Sequence, residues 1–269
     1  MRKTVLAVIA ALVLAPAPSL LRNATGGPAP SIVAKAVEYK DGDAALEGWL
    51  VYDDAVKEKR PGVVVVHEWW GLTDYPKTRC EMLAKLGYVA FAIDMYGKGK
   101  TTKDPKQAGE WSGQFHGDGK AAGRRRAKAG FDVLAKDEHV DASRMGAMGY
   151  CFGGTVALEM AWSDLPLKGV VSFHGQPSAP DAEDHDQAAV LVCHGGDDGF
   201  VKDATLKTFE DTMREKKIDW TLVKYGHAVH SFTNPDSDKF GIPGVGYDKR
   251  ADERSWAHMR TFWYEVFAK

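Results

Sequence analysis

A single cysteine in this chain stands in a sequence context that suits a nucleophile. Residues 149–154 are Gly-Tyr-Cys-Phe-Gly-Gly, so Cys151 has a glycine two positions away on either side. An apolar strand pattern precedes this segment and a helical pattern follows it, as in the sharp strand-to-helix turn called a nucleophile elbow. Glycines leave room there for neighbouring backbone, and the helix N-terminus favours a thiolate. We predict that Cys151 is a nucleophile; the alternative is a small core cysteine in a glycine-rich turn.

Candidate partners for this thiol follow later in the chain. Asp197 and Asp198 come after one predicted buried strand, and His227 and His230 come after the next strand. In enzymes with a nucleophile elbow the chain order is nucleophile, acid and histidine, which is the order found here. Open α/β sheets build their sites at the carboxyl ends of strands, where both pairs lie. The pattern therefore predicts a Cys–His–Asp triad and leaves open which aspartate and which histidine belong to it.

Alternating strand and helix patterns provide the elements that would position these residues. The run Val63-Val64-Val65-Val66 is typical of a strand buried on both faces. Downstream, the patterns predict strands over residues 88–93, 144–148, 169–173, 190–193 and 220–225, and helices over 76–86, 120–136, 154–162, 203–216 and 248–267. Residues 32–39 and 46–52 flank an Asp-Gly turn and predict a hairpin. We therefore expect a mostly parallel sheet with helices on both faces and an antiparallel N-terminal edge.

Composition narrows the function classes. The chain has 269 residues, 44% of them hydrophobic and 27% charged, with a formal net charge of -2. This balance is typical of a globular protein and argues against nucleic-acid or anionic-membrane partners. The three cysteines, Cys80, Cys151 and Cys193, have neither disulfide-framework nor zinc-ligand spacing. We find no dinucleotide, phosphate or metal motif and expect no cofactor. The polar stretch 97–119 is expected to be a loop with a short helix, which could form a lid.

The N-terminal segment has the composition of a secretory signal. Arg2 and Lys3 precede an apolar stretch that is short for a membrane span, and Pro16 and Pro18 follow it. We predict a signal peptide and spacer over residues 1–25 and one α/β domain over residues 26–269. The protein is then expected to be secreted or periplasmic and free of the membrane after signal removal. The alternative is an uncleaved membrane anchor.

Four segments together resemble the dienelactone hydrolase family. They are the elbow, Gly195-x-x-Asp198-x-x-Val201, His230-Ser231-Phe232, and the Val-His-Glu-Trp-Trp-Gly segment that follows the third strand. The resemblance runs from about residue 33 to the C-terminus. It implies an α/β-hydrolase fold and hydrolysis of small-molecule esters or lactones through an acyl-cysteine intermediate. It also implies that Asp198 is the triad acid and His230 the base.

The resemblance assigns roles to further residues. Glu68 corresponds to a glutamate that contacts the resting thiol and helps to form the thiolate when substrate binds. Its alternative is a buried carboxylate in an ion pair. The backbone N–H groups of Phe152 and Trp69 would form the oxyanion hole. His227 would then be a loop histidine with a structural hydrogen bond.

The resemblance is weaker at the substrate side of the site. The family holds a substrate carboxylate with two arginines, and this chain has Lys98 and Asn234 in those regions. Lysine lacks the bidentate geometry of arginine and asparagine lacks charge, so an altered carboxylate clamp is expected. We predict Lys98, Tyr96, Trp70 and Asn234 as substrate-binding residues. A non-catalytic ligand-binding or thiol redox-sensing protein on the same fold remains an alternative, as does a peptidase or acyl transferase.

Overall fold

The computed structural model describes residues 29–184 and 188–268. The predicted signal peptide and spacer lie outside the described residues. Within the described ranges, no helix is long and apolar enough to cross a membrane.

One eight-stranded sheet forms the centre of the described structure. Its spatial order is β1-β2-β4-β3-β5-β6-β7-β8. All neighbours from β4 through β3 to β8 are parallel, whereas β1 pairs with β2 and β2 with β4 in antiparallel register. The strands are β1 (Ile32–Asp41), β2 (Ala44–Asp53), β3 (Arg60–Val66), β4 (Val89–Ile93), β5 (Val140–Tyr150), β6 (Leu167–Phe173), β7 (Ala189–Gly195) and β8 (Trp220–Tyr225). The predicted parallel sheet with an antiparallel N-terminal hairpin is confirmed.

Helices cover both faces of this sheet. They are α1 (Asp74–Lys85), α2 (Pro105–Gly113), α3 (Lys120–Ala135), α4 (Phe152–Ala161), α5 (Asp203–Glu215) and α6 (Lys249–Ala268), with short 3-10 helices at Gly117–Gly119 and Ser237–Phe240. Buried side chains of α3, α4 and α5 pack into a core on one face, and those of α1 and α6 into a core on the other. Both faces of the central strands are therefore removed from water, whereas the edge strand β1 stays partly exposed.

The valines of β3 show why this sequence forms a central strand. Val64 and Val66 pack into the core beneath α3 and α4, whereas Val63 and Val65 pack into the core beneath α1 and α6. All four are fully buried. Alternate side chains of a strand point to opposite faces, so only an apolar run can occupy a strand covered on both sides.

The polar stretch after β4 contains one helix of its own. The side chain of Asp104 accepts a hydrogen bond from the Lys106 N–H and caps α2, and Pro105 occupies its first position. An aspartate cap followed by proline is a favoured helix start. This segment brings Phe115 and His116 to the carboxyl ends of the strands, where the site lies.

Candidate active site

Cys151 lies on a strained turn between β5 and α4. Its backbone has φ 54° and ψ -118°, a left-handed conformation that non-glycine residues rarely adopt. A Cβ atom on Gly149 would lie 1.9 Å from the Gly153 carbonyl oxygen, and one on Gly153 would lie 2.3 Å from the Val66 oxygen. Helix α4 begins at Phe152, two residues earlier than the sequence pattern predicts. The glycines are thus required because the helix starts directly against neighbouring backbone.

Two loops bring a carboxylate and an imidazole to this thiol. His230 Nδ1 lies 2.9 Å from Asp198 Oδ2, and the Asp198 side chain is fully buried. The other carboxylate oxygen of Asp198 accepts a hydrogen bond from the Phe200 N–H at 2.9 Å. Both carboxylate oxygens therefore have a donor, and the Nδ1–H···Oδ2 bond leaves the second ring nitrogen of His230 for the thiol.

The protonation of His230 is set by opposing effects. Burial of the ring disfavours its charged form, but the negative charges and hydrogen bonds of the Cys151 thiolate and the Asp198 carboxylate raise its pKa to about 10. A cationic imidazole beside a cysteine favours the thiolate. The contact can therefore hold a thiolate–imidazolium pair.

The structure separates the two aspartates and the two histidines. Asp197 and His227 lie 3.6 Å apart and pair with each other, with side chains 59% and 97% exposed respectively. Asp198 is instead buried against His230, and His230 is the histidine that contacts Cys151. Although Asp197 and Asp198 are neighbours in sequence, only one of them points into the protein.

Glu68 lies beneath the site, immediately after β3. Its carboxylate accepts hydrogen bonds from Ser231 Oγ at 3.1 Å and from the Asn234 amide at 2.6 Å. Burial raises the pKa of Glu68, and these two donors act in the opposite direction. The resemblance implies a contact between Glu68 and the resting thiol. In this structure the carboxylate is bonded to Ser231 and Asn234, while the thiol bonds to His230.

The site opens into a cavity of about 580 Å³. The apolar part of its lining is largely aromatic and is formed by Trp69, Trp70, Phe115, Phe152, Phe200, Val201, Phe240, Ile242 and Val245. The polar part is formed by Ser112, His116, Lys120, Thr155, Glu159, Gln176 and Ser178. Most of these residues carry no motif and come from separate segments. Their only sequence signal is that they follow strand ends or lie in the polar stretch after β4.

Two predicted substrate contacts need correction. Lys98 pairs with Glu38 and Glu47 of the N-terminal hairpin, outside the described residues that line the cavity. Gly97, with φ 126°, turns the chain towards β2, where the Lys98 N–H donates to a β2 carbonyl. Asn234 is buried and its amide is directed to Glu68. Neither side chain is placed to hold a substrate carboxylate.

The aromatic predictions divide in a similar way. Trp70 lines the cavity, as do Trp69 and Phe152, whose N–H groups were predicted to form the oxyanion hole. Tyr96 lies behind the wall, where its hydroxyl donates to the Trp69 carbonyl at 3.1 Å and its ring packs on Phe152. Tyr96 contacts both residues of the predicted oxyanion hole and is not among the described residues that line the cavity.

Lys120, which does line the cavity, is already paired. Lys120 Nζ lies 2.6 Å from Asp181, 3.6 Å from Glu159 and 3.9 Å from Asp184. Carboxylates thus balance this ammonium before any ligand arrives. In the part of the chain that the structure describes, no group of three or more histidines, cysteines or carboxylates is arranged to hold a metal ion.

Comparison with known proteins finds relatives along most of the chain. The sequence model of the dienelactone hydrolase family matches residues 46–267, which include all three triad candidates. The solved structure of a dienelactone hydrolase-like promiscuous phosphotriesterase from metagenomic libraries is 41% identical, with a TM-score of 0.85 over 88% of this chain and 99% of that one. A second structure, m3DLH, is 38% identical with a TM-score of 0.85 over the same shares. The Caenorhabditis elegans protein K02A2.1 is 35% identical over 53% of this chain and 93% of its own length.

Proposed function

This chain belongs to the dienelactone hydrolase family, and on that premise we propose that it hydrolyses small uncharged esters and lactones through an acyl-cysteine on Cys151. The observation that carries the proposal is the contact of Cys151, on its strained elbow, with the buried His230–Asp198 pair at the mouth of an aromatic cavity. Perturbed ionisable groups beside a nucleophile in a cavity are characteristic of catalytic sites.

The first step is attack by sulfur on the substrate carbonyl. The thiol proton passes to the free ring nitrogen of His230. The other ring nitrogen of His230 donates its N–H to the Asp198 carboxylate, which keeps the ring in place. A carbon–sulfur bond forms and the carbonyl electrons move to oxygen. Collapse of this intermediate expels the alkoxide, which takes the proton from His230. A lactone opens in the same step, so its leaving group stays attached to the acyl chain.

Two backbone N–H groups are proposed to stabilise the oxyanion. Phe152 is the first residue of α4, and the first N–H groups of a helix have no acceptor within it. Trp69 directly follows Glu68 at the end of β3 and lines the same cavity. A donor after the nucleophile and another after the third strand form the usual oxyanion hole of elbow enzymes. Loss of one such donor typically slows turnover by about 100- to 1000-fold.

The second step releases the acid. Water gives a proton to His230 and attacks the acyl-thioester carbonyl through the same oxyanion hole. The carbon–sulfur bond then breaks, the carboxylic acid leaves, and the thiolate is regenerated beside the imidazolium. One side chain therefore serves as base in each half-reaction and as acid between them.

The charge of the cavity supports uncharged substrates. Lys98 lies outside the cavity lining, Asn234 is held by Glu68, and Lys120 is balanced by three carboxylates. An ion pair with a substrate carboxylate would have to displace one of these contacts. The aromatic lining instead suits an apolar acyl or leaving group, because such side chains contribute to binding mainly by burying apolar surface.

The test is hydrolysis of p-nitrophenyl acetate under reducing conditions by the parent, Cys151→Ala and His230→Gln. His227→Gln is the matched control, since it removes an exposed histidine from the same loop. Turnover that disappears in the first two variants and persists in the control supports the proposal. An inert parent whose Cys151 still reacts with iodoacetamide favours the alternative, a ligand-binding or thiol redox-sensing protein. The assay includes a diethyl aryl phosphate, because one 41% identical relative is described as a phosphotriesterase.

A further inference from the structure

A second buried histidine touches the nucleophile from behind the cavity. His174 directly follows β6, is fully buried, and has a left-handed backbone with φ 40°. Its Nδ1 atom lies 3.1 Å from the backbone nitrogen of Cys151, and its Nε2 atom lies 2.7 Å from Thr233 Oγ1. Both ring nitrogens are therefore used inside the protein. A non-glycine residue held in this conformation points to a constraint imposed by its surroundings.

The direction of these hydrogen bonds follows from the groups involved. A backbone N–H can only donate, so Nδ1 of His174 must accept and carries no proton. The neutral ring then has its proton on Nε2, which donates to Thr233 Oγ1. A protonated ring would present a second donor to the Cys151 N–H, and the contact would be lost. The Cys151 N–H is shared between this ring nitrogen and the Phe173 carbonyl oxygen, which lies 3.0 Å away. The ring contact thus requires His174 to be neutral and in one tautomer.

The electrostatic surroundings keep the ring neutral. Burial lowers the pKa of His174 well below its ordinary value, and the positive charges of His230 and Arg79 lower it further. The rings of His174 and His230 meet edge to face with centroids 5.4 Å apart. Of two adjacent buried histidines, His230 is therefore the one that carries the charge.

Thr233 connects this ring to the loop that carries the base. It lies three residues after His230, and its hydroxyl is also 2.6 Å from the Tyr75 hydroxyl of α1. Arg79, from the same helix, donates to the Thr233 carbonyl and pairs with Asp252 of α6 at 2.6 Å. Two helices on the far face of the sheet therefore hold Thr233 in place. His174 then spans the distance from this fixed point to the nucleophile elbow.

We propose that His174 is a positioning residue that sets the nucleophile elbow relative to the loop of the catalytic base. Its ring contacts the Cys151 backbone at one nitrogen and the His230 loop at the other, and it does not line the cavity. The inference rests on the proposed function, because it assumes that Cys151 and His230 react together. Displacement of reacting groups by about 1 Å can cost roughly 100-fold in rate.

Three variants separate the two contacts. His174→Phe keeps the ring shape and removes both hydrogen bonds. His174→Asn keeps an acceptor near the position of Nδ1, tolerates the left-handed backbone, and is too short to reach Thr233. Thr233→Val keeps the volume of Thr233 and removes its hydroxyl. His139→Phe is the control, since that half-buried histidine bonds to Asp137 far from the site.

We expect these variants to lower kcat and to leave KM nearly unchanged. For ester hydrolysis we expect kcat to fall about 100-fold in His174→Phe and about 10-fold in His174→Asn and in Thr233→Val, with KM within about threefold of the parent. The double variant His174→Asn/Thr233→Val should lose less than the product of the single losses, because both break one contact. The control should match the parent. Equal kcat in His174→Phe, or a loss seen wholly in KM, would overturn the proposal.

Alkylation supplies a second measurement that does not depend on ester turnover. The rate of Cys151 modification by iodoacetamide is measured near pH 6.5 and near pH 9. The rate of the Cys151→Ala variant is subtracted, because it reports the reaction of the other two cysteines. A misplaced His230 no longer favours the thiolate. The alkylation rate near pH 6.5, divided by the rate near pH 9, should therefore fall in the His174 variants. An unchanged ratio overturns the positioning role. If the parent is inert towards esters, the proposed function fails while this ratio still tests His174. If His174→Phe does not fold, Thr233→Val and His174→Asn decide.

Discussion

The side-chain amide of Asn234 lies 2.6 Å from Oε2 of Glu68, and both residues are almost completely buried. This contact ties the loop that follows His230 to the end of β3, directly beneath the predicted oxyanion donor Trp69. It also explains why Asn234 is unavailable to a substrate. Because a buried carboxylate depends on its hydrogen-bond donors, the pair can be tested by both mutation and pH.

Replacement of Asn234 by leucine should destabilise the protein. The change leaves one buried oxygen of Glu68 without its donor, which typically costs about 1–3 kcal/mol. Urea unfolding near neutral pH measures the difference, and Gln114→Leu is the control because its amide is exposed.

The contribution of Glu68 to stability should also depend on pH, and the sign of this dependence is defined. Since the folded pKa of Glu68 is raised, its contribution to stability is complete below its unfolded pKa and declines as pH rises. Glu68→Gln should therefore gain stability relative to the parent as pH rises above the ordinary glutamate pKa of 4.5, and a constant difference would contradict the assignment.

The stability contributed by His230 should disappear in alkaline solution. Its folded pKa of about 10 lies above the ordinary value of 6.5, so the contribution is complete below 6.5 and declines as pH rises towards 10. The free energy of unfolding of the parent minus that of His230→Gln, measured across this range, should fall with increasing pH. In a Cys151→Ala background the fall should be smaller and should end at lower pH, because the thiolate no longer raises the folded pKa. A difference that grows with pH would show that His230 is neutral in the folded protein.

The adjacent aspartates should behave very differently. Asp198→Asn leaves the imidazole without its carboxylate and disturbs its tautomer, so we expect kcat to fall by about 1000-fold or more. Asp197→Asn removes an exposed carboxylate that contacts only His227 among the ion pairs described, and kcat should stay within about twofold of the parent. Steady-state kinetics with one aryl ester measures both. Comparable losses in the two variants would mean that the loop is misassigned.

Gly153 should not tolerate a methyl group. Its Cβ would lie 2.3 Å from the Val66 carbonyl oxygen, and the neighbouring backbone cannot move aside without displacing α4. We expect Gly153→Ala to lose activity together with several degrees of thermal stability. Gly109→Ala is the matched control in α2, where no atom lies within 4 Å of the added carbon. That variant should gain up to about 1 kcal/mol because alanine is the better helix former. Full activity in Gly153→Ala would contradict the close approach.

The charge of the substrate should affect turnover, and replacement of Lys98 should not change this effect. The parent should hydrolyse p-nitrophenyl acetate with a kcat/KM about tenfold or more above that for mono-p-nitrophenyl succinate, since no unbalanced cation among the described cavity residues faces the anionic end. Lys98→Met should leave this ratio unchanged, because its ammonium is committed to Glu38 and Glu47. A preference for the anionic ester that disappears in Lys98→Met would restore the carboxylate clamp.

The sequence by itself determined the framework of the fold and predicted the chemistry that this framework would hold. Local patterns were sufficient for this, because a β-branched run such as that of β3 can be buried only inside a sheet covered on both faces. The glycines around Cys151 likewise predict a turn pressed against neighbouring backbone. The order of thiol, carboxylate and imidazole at successive strand ends then indicated a triad, and the family resemblance distinguished its members.

Only the tertiary structure decided where each polar side chain is directed. Asp197 and Asp198 have the same chemistry and adjacent positions, and their burial differs because the loop turns between them. Lys98 was predicted at the substrate, but the left-handed turn at Gly97 carries it to the hairpin. His174 carried no motif, and its importance depends on Cys151 and Thr233, which lie 23 and 59 residues away in sequence. Contacts of this kind arise when distant segments pack together, so no local pattern records them.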